Sequence, residues 1–145
     1  MSDSGLSQGS LNIEVINMTG YHTNIEKRTG ENEYFREVLF TSQLIQLAVM
    51  SLKPCEDIGL ETYLDTDQFL CVEEGTGKAI LDGFVYELKP GSGIVIPAET
   101  EYNIINTSST NPLKFYTVYI PPDYAEGTIH KTKSEGTADE RGPND

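Results

Sequence analysis

Tryptophan is absent from this 145-residue chain, and cysteine and histidine occur only twice each. Bases are scarce as well: ten Lys and Arg stand against 23 Asp and Glu, a formal net charge of −13. Such a surface repels phosphate backbones, which argues against nucleic acid and anionic membrane as partners. No long apolar run exists. The longest apolar-rich stretch, Leu44 to Leu52, is broken by Gln46 and Ser51, so it does not read as a membrane span. The opening MSDSGLSQGS has no basic region followed by an apolar core, so it does not read as a secretory signal. With only Cys55 and Cys71 available, two free thiols and a cytoplasmic location are expected.

What the chain does contain suits one soluble domain. Hydrophobic residues make up 37%, and the acids are spread along the whole length, the bland consequence being solubility. Residues 1–10 are Ser/Gly-rich and read as disordered. Residues 11–33 form an N-terminal arm, with a short strand over LNIEVINM (11–18) and room for one helical turn between Gly20 and Glu33. Strand signals then recur from Tyr34 to Pro122: 34–41, 42–52, 60–63, 68–73, 78–81, 84–88, 93–96, 102–106 and 113–120. Asp82-Gly83 predicts a two-residue type I′ hairpin, and the 93–96 strand is apolar throughout. Residues 123–145 read as a C-terminal arm whose tail, from Ser134, is acidic and disordered. The rhythm is that of an all-β sandwich or barrel.

Two spaced motifs sharpen this. In CEDIGLETYLDTDQFLCVEEGTG, Cys55, Glu61, Tyr63, Gln68 and Gly75 fall at intervals of six, two, five and seven residues. In GSGIVIPAETEYNIIN, Gly91, Pro97, Glu99, Tyr102 and Asn106 follow a second such pattern. The spacing resembles the two motifs of the cupin superfamily, which would place Gly, His, His, Glu and Gly at the first set and Gly, Pro, Gly, His and Asn at the second. The resemblance implies a single cupin barrel (double-stranded β-helix, or jelly roll) with a short N-terminal arm. Residues 32–133, including NEYFREVLFTSQLIQLAVMSLKP and PLKFYTVYIPP, resemble bacterial single-domain cupins of the mannose-6-phosphate isomerase-like subgroup.

If that register holds, Glu61, Tyr63, Gln68 and Tyr102 converge in the barrel, with Leu70 on the face of Gln68. These are the positions where the family holds its metal, yet no imidazole is present at any of them. Neutral phenol is a poor ligand for divalent transition metals, so a metal-free pocket is favoured. The alternative is an atypical, highly charged ion held by Glu61, Tyr63, Gln68 and Tyr102. Strand tyrosines are as readily explained by packing, and loop glutamates such as Glu99 and Glu101 by solvation. Cys55 and Glu99 stand where the family has glycine, implying either a changed loop or mild strain.

Two functions from different classes follow. One is a module that binds a small molecule, a sugar or carboxylate-like compound, without the usual metal. The other is an isomerase-like or other small-molecule enzyme in which Glu61, Tyr63 and Tyr102 act as acid and base. The lack of a phosphate-cradling loop or basic pocket makes phosphosugars less attractive than neutral ligands. A homodimer is expected, with Asn12–Met18 adding to a neighbour's sheet.

Overall fold

A computed structural model describes residues 19–139. The expected strand over 11–18, the disordered residues 1–10 and the end of the tail lie outside the described residues. The first element is helix α1, Ile25–Glu31, started by Asn24, whose Oδ1 accepts from Lys27 N at 3.0 Å. Its C-terminal turn is held by buried Lys114, whose Nζ donates to Gly30 O at 2.7 Å.

Ten strands follow: β1 Arg36–Thr41, β2 Gln46–Leu52, β3 Glu61–Thr62, β4 Asp67–Glu74, β5 Gly77–Leu81, β6 Phe84–Leu88, β7 Gly93–Ile96, β8 Glu101–Asn106, β9 Leu113–Ile120 and β10 Ile129–His130. They form a six-stranded sheet, β10-β1-β2-β9-β4-β7, and a four-stranded sheet, β3-β8-β5-β6. Every pairing is antiparallel. This is the expected all-β jelly roll. Sequence-distant neighbours such as β2 and β9 exclude a simple meander, and the two sheets enclose one core.

Alternation sets what the core contains. Along β4, Gln68, Leu70 and Val72 are buried while Phe69 and Cys71 keep partial exposure. The register lines up Gln46 of β2, Tyr119 of β9, Gln68 of β4 and Ile96 of β7 as one inward row. Another row holds Arg36, Met50, Phe115 and Val72. Asp82 (φ 48°) and Gly83 (φ 88°) form the β5–β6 turn with both residues left-handed, the type I′ geometry their sequence demands.

The apolar 93–96 strand lies at a sheet edge as β7, and Val95 remains 61% exposed. The C-terminal arm joins the sheet: β10 pairs with β1, Arg36 facing His130. One expectation needs correction. Where the composition suggested disorder, residues Lys133–Ala138 form helix α2. Thr132 caps it, accepting from Glu135 N at 3.2 Å, and Lys133 Nζ lies 2.6 Å from Asp57 Oδ1, so local capping and one ion pair outweigh the polar composition. Cys55 and Cys71 are both free thiols.

Candidate functional site

The loops at the two ends of the barrel preserve a glycine geometry that the sequence only half keeps. Gly75 (φ 95°) and Gly91 (φ 93°) are left-handed, and so are Cys55 (φ 65°) and Glu99 (φ 72°). Of the two alternatives for those substitutions, the backbone keeps the turn and accepts the strain. Backbone bonds over-determine both places: Cys55 N donates to Ser108 O at 3.0 Å, and Glu99 N to Tyr63 O at 2.7 Å. Asn106 ties the neighbouring loops. Its buried amide Nδ2 donates to Leu52 O, Lys53 O and Asn111 O at 3.1, 3.0 and 2.9 Å, while Oδ1 accepts from Ser108 N at 2.9 Å.

The Glu99–Tyr63 bond delivers Tyr63 to the interior, where aromatic rings meet in sequence. Ring centroids of Tyr63 and Tyr102 are 6.0 Å apart, of Tyr63 and Tyr119 6.1 Å, and of Tyr119 and Tyr124 5.4 Å, all edge to face. The Tyr63 and Tyr124 hydroxyls are 2.8 Å apart. Burial pushes the Tyr63 and Tyr102 hydroxyls well above the ordinary phenol range, and neighbouring tyrosines push them further. Both are therefore protonated at physiological pH: they donate and accept hydrogen bonds but present no phenolate.

Arg36 completes the wall. Its alternation partner Val38 is buried, and Arg36 itself is only 5% exposed. The guanidinium carbon sits 4.3 Å from the Tyr124 ring centre and 5.2 Å from that of Phe35. Burial opposes its charge, but the hydroxyls of Tyr119, Tyr124 and Tyr63, whose ionised forms the cation would stabilise, and a hydrogen bond with Tyr119 outweigh that and hold it above the ordinary arginine value. Arg36 Nη1 lies 3.1 Å from His130 Nδ1, and His130 Nε2 lies 2.8 Å from Asp139 Oδ2. Because arginine only donates, Nδ1 is the acceptor, and the proton sits on Nε2, facing the carboxylate.

Of the residues expected at the site, Tyr63 and Tyr102 are brought together. Gln68 joins them, buried, with its amide near enough to moderate the Tyr102 hydroxyl. Thr117 Oγ1 donates to Gln68 Oε1 at 3.4 Å. Glu61 stands opposite Tyr102 in the β3–β8 register, so it leaves the sheet on the same side, yet it is only half-buried. Leu70 is part of the apolar core. The sequence reading missed Arg36, Tyr119, Tyr124 and His130. For Arg36 the signal was available, since it lies two residues from Val38 and shares its face. Tyr119 likewise follows Phe115 and Thr117 in phase. Tyr124 and His130 enter through the arm that returns to the barrel, which no periodicity marks. Arg36 is a buried cation that the sequence reading did not place in the barrel.

Residues 48–119 match the Cupin domain family. The chain is 42% identical over 123 residues to YrkC of Bacillus subtilis (strain 168), covering 81% of this chain and 66% of that protein, and so spans just under two thirds of the relative's length. It is 41% identical over 127 residues to protein L612 of Acanthamoeba polyphaga mimivirus, covering 84% of this chain and 79% of the viral one. The crystal structure of BH2720 from Bacillus halodurans superposes with a TM-score of 0.81 at 39% identity, covering 85% of this chain and 97% of that one. No helix among the described residues is long and apolar enough to cross a membrane. Motif spacing, barrel and relatives agree: the chain belongs to the cupin superfamily.

Proposed function

We propose that this protein binds a small organic molecule inside its barrel, at the cluster of Tyr63, Gln68 and Tyr102, without a transition metal. The observation that supports the reading most is the buried tyrosine wall at positions where the family motif would carry histidine. The donor set suits an organic ligand better than a metal: two phenols kept protonated by burial, one amide, and an arginine cation beside them. No group of three or more His, Cys, Asp or Glu side chains placed to hold a metal occurs among the described residues. Aromatic faces with a few convergent polar groups are what a small-molecule site needs.

Thermal-shift screening of sugars, polyols and carboxylic acids tests the proposal, because a ligand that binds only the folded state raises its stability. Tyr63→Phe and Tyr102→Phe should fold and lose roughly three- to tenfold in affinity each, the worth of one modest hydrogen bond. Unchanged affinity in both variants would place the ligand elsewhere. An isomerase-like activity of the kind the subgroup resemblance suggests has one supporting feature, the placement of Glu61 opposite Tyr102. It predicts turnover that is lost in Glu61→Gln while ligand binding survives. A cytoplasmic homodimer completes the proposal.

A further inference from the structure

Resting on that reading, we infer that the ligand is a small organic monocarboxylate and that Arg36 is its charge anchor. Arg36 is a full positive charge inside the barrel, 5% exposed, and none of the ion pairs among the described residues includes it. Its Nε has no hydrogen-bond partner among the described residues. A buried ion without a counter-charge is costly even after relaxation. The ring contacts with Tyr124 and Phe35, the Tyr119 hydroxyl and the bond to His130 offset part of that cost. These offsets make the charge tolerable but supply no opposite charge. An acid from outside does.

A second orphan borders the same tyrosines. Gln68 is 4% exposed, and its Nε2 reaches no acceptor within full hydrogen-bond geometry among the described residues, its only polar neighbour of note being the Tyr102 hydroxyl that it moderates. Unpaired buried donors are rare in folded proteins and call for a partner. At Arg36 and Gln68 the group that is short of a partner is a donor, so what each calls for is an acceptor, which fits a carboxylate and not an ammonium or a metal ion. One guanidinium matches one negative charge. A phosphate dianion would leave charge uncompensated, and the −13 net charge of the chain also disfavours approach by multiply charged anions. The rings of Tyr63, Tyr102, Tyr119 and Tyr124 provide apolar faces for the carbon skeleton, which favours an organic acid over a bare inorganic anion.

His130 and Asp139 act as positioning residues. Neutral His130 receives one Arg36 N–H and is itself fixed by Asp139, which leaves the Nε edge of the guanidinium free for the ligand.

The test uses the full chain and matched pairs: acetate with acetamide, pyruvate with pyruvamide, benzoate with benzamide, and 4-hydroxybenzoate with its amide. Binding is read by thermal shift and calorimetry at constant ionic strength, with sodium chloride and sodium phosphate as inorganic controls. The expected result is at least one acid bound tenfold or more tightly than its amide. That preference should be lost in Arg36→Met and partly kept in Arg36→Lys. Gln68→Leu should weaken the same acid while keeping some preference. If Arg36→Met does not fold, the acid–amide pair in the parent and the Arg36→Lys variant decide. Equal binding of acid and amide overturns the inference but leaves a small-molecule site standing. Binding of chloride or phosphate alone identifies an inorganic counter-ion and also overturns it. Failure of every acid and amide, together with the sugars and polyols, sinks both readings.

Discussion

Replacing Glu99 by glycine should stabilise the protein, although it removes a side chain and a charge. Glu99 sits at φ 72°, a conformation disfavoured for L-residues with a Cβ. Holding such a residue left-handed costs about 1–2 kcal/mol. Glycine avoids that but loses roughly 0.5–1 kcal/mol through its freer unfolded chain. The difference is a gain of about 0.5–1 kcal/mol, which for a domain of this size raises Tm by roughly 2–4 °C. The bond from Glu99 N to Tyr63 O at 2.7 Å is a backbone bond and should survive. Urea denaturation of the parent, Glu99→Gly and Glu99→Ala separates the causes. Alanine removes the carboxylate yet keeps the Cβ, so it should stay near the parent while glycine rises. A stabilisation shared equally by both variants would refute the strain account and point to relief of charge repulsion on this acidic chain.

Cys55→Gly, at φ 65°, should behave the same way in the same assay, whereas Gly75→Ala should be destabilising, since its Cβ would meet the backbone of Pro112 and Leu113. Asn106→Ala should lose about 1–3 kcal/mol, because the buried bond to the Leu52 carbonyl goes together with the part-buried ones to Lys53 and Asn111; a loss below about 0.5 kcal/mol by urea titration would contradict that role. Asp57 is held below the ordinary aspartate range, first by the Asn103 amide at 2.8 Å and then by Lys133. Its depressed folded value means the contribution is present above the unfolded pKa of about 3.9 and lost as pH falls through the lower folded one. Protection of the α2 amides, measured against the intrinsic exchange rate at each pH, should therefore fall below about pH 4, and Lys133→Ala should flatten that response. Light scattering at micromolar concentration should report a dimer, and a monomer would remove the homodimer from the account.

The fold was legible because period-two alternation and turn chemistry are local signals. The Asp82-Gly83 hairpin, the inward set Gln68, Leu70 and Val72, and the cupin spacing all read directly from residues close in sequence. The site was legible only where the family spacing reached, at Tyr63, Gln68 and Tyr102. Arg36 lies outside both motifs, and a single arginine in YFREVLFT looks like an ordinary outward charge until the phase of Val38 is applied. His130 and Tyr124 depend on β10 pairing with β1, a contact between residues 94 positions apart for Arg36 and His130 that no local pattern carries. Helix α2 was hidden for a related reason: its composition is polar, and the cap at Thr132 and the Lys133–Asp57 pair hold it in place.

The central claim is that this cupin has exchanged a metal centre for a tyrosine-lined organic site. Elemental analysis with metal titration, run on the parent beside the double variant Tyr63→His with Tyr102→His, tests it most directly. The account predicts that the parent, purified without added ions, holds far less than one equivalent of any transition metal. It also predicts that the double variant gains measurable affinity for Zn²⁺, Ni²⁺ or Mn²⁺. Stoichiometric metal in the parent would contradict the claim, and a visible absorbance band with it would identify tyrosinate bound to ferric iron.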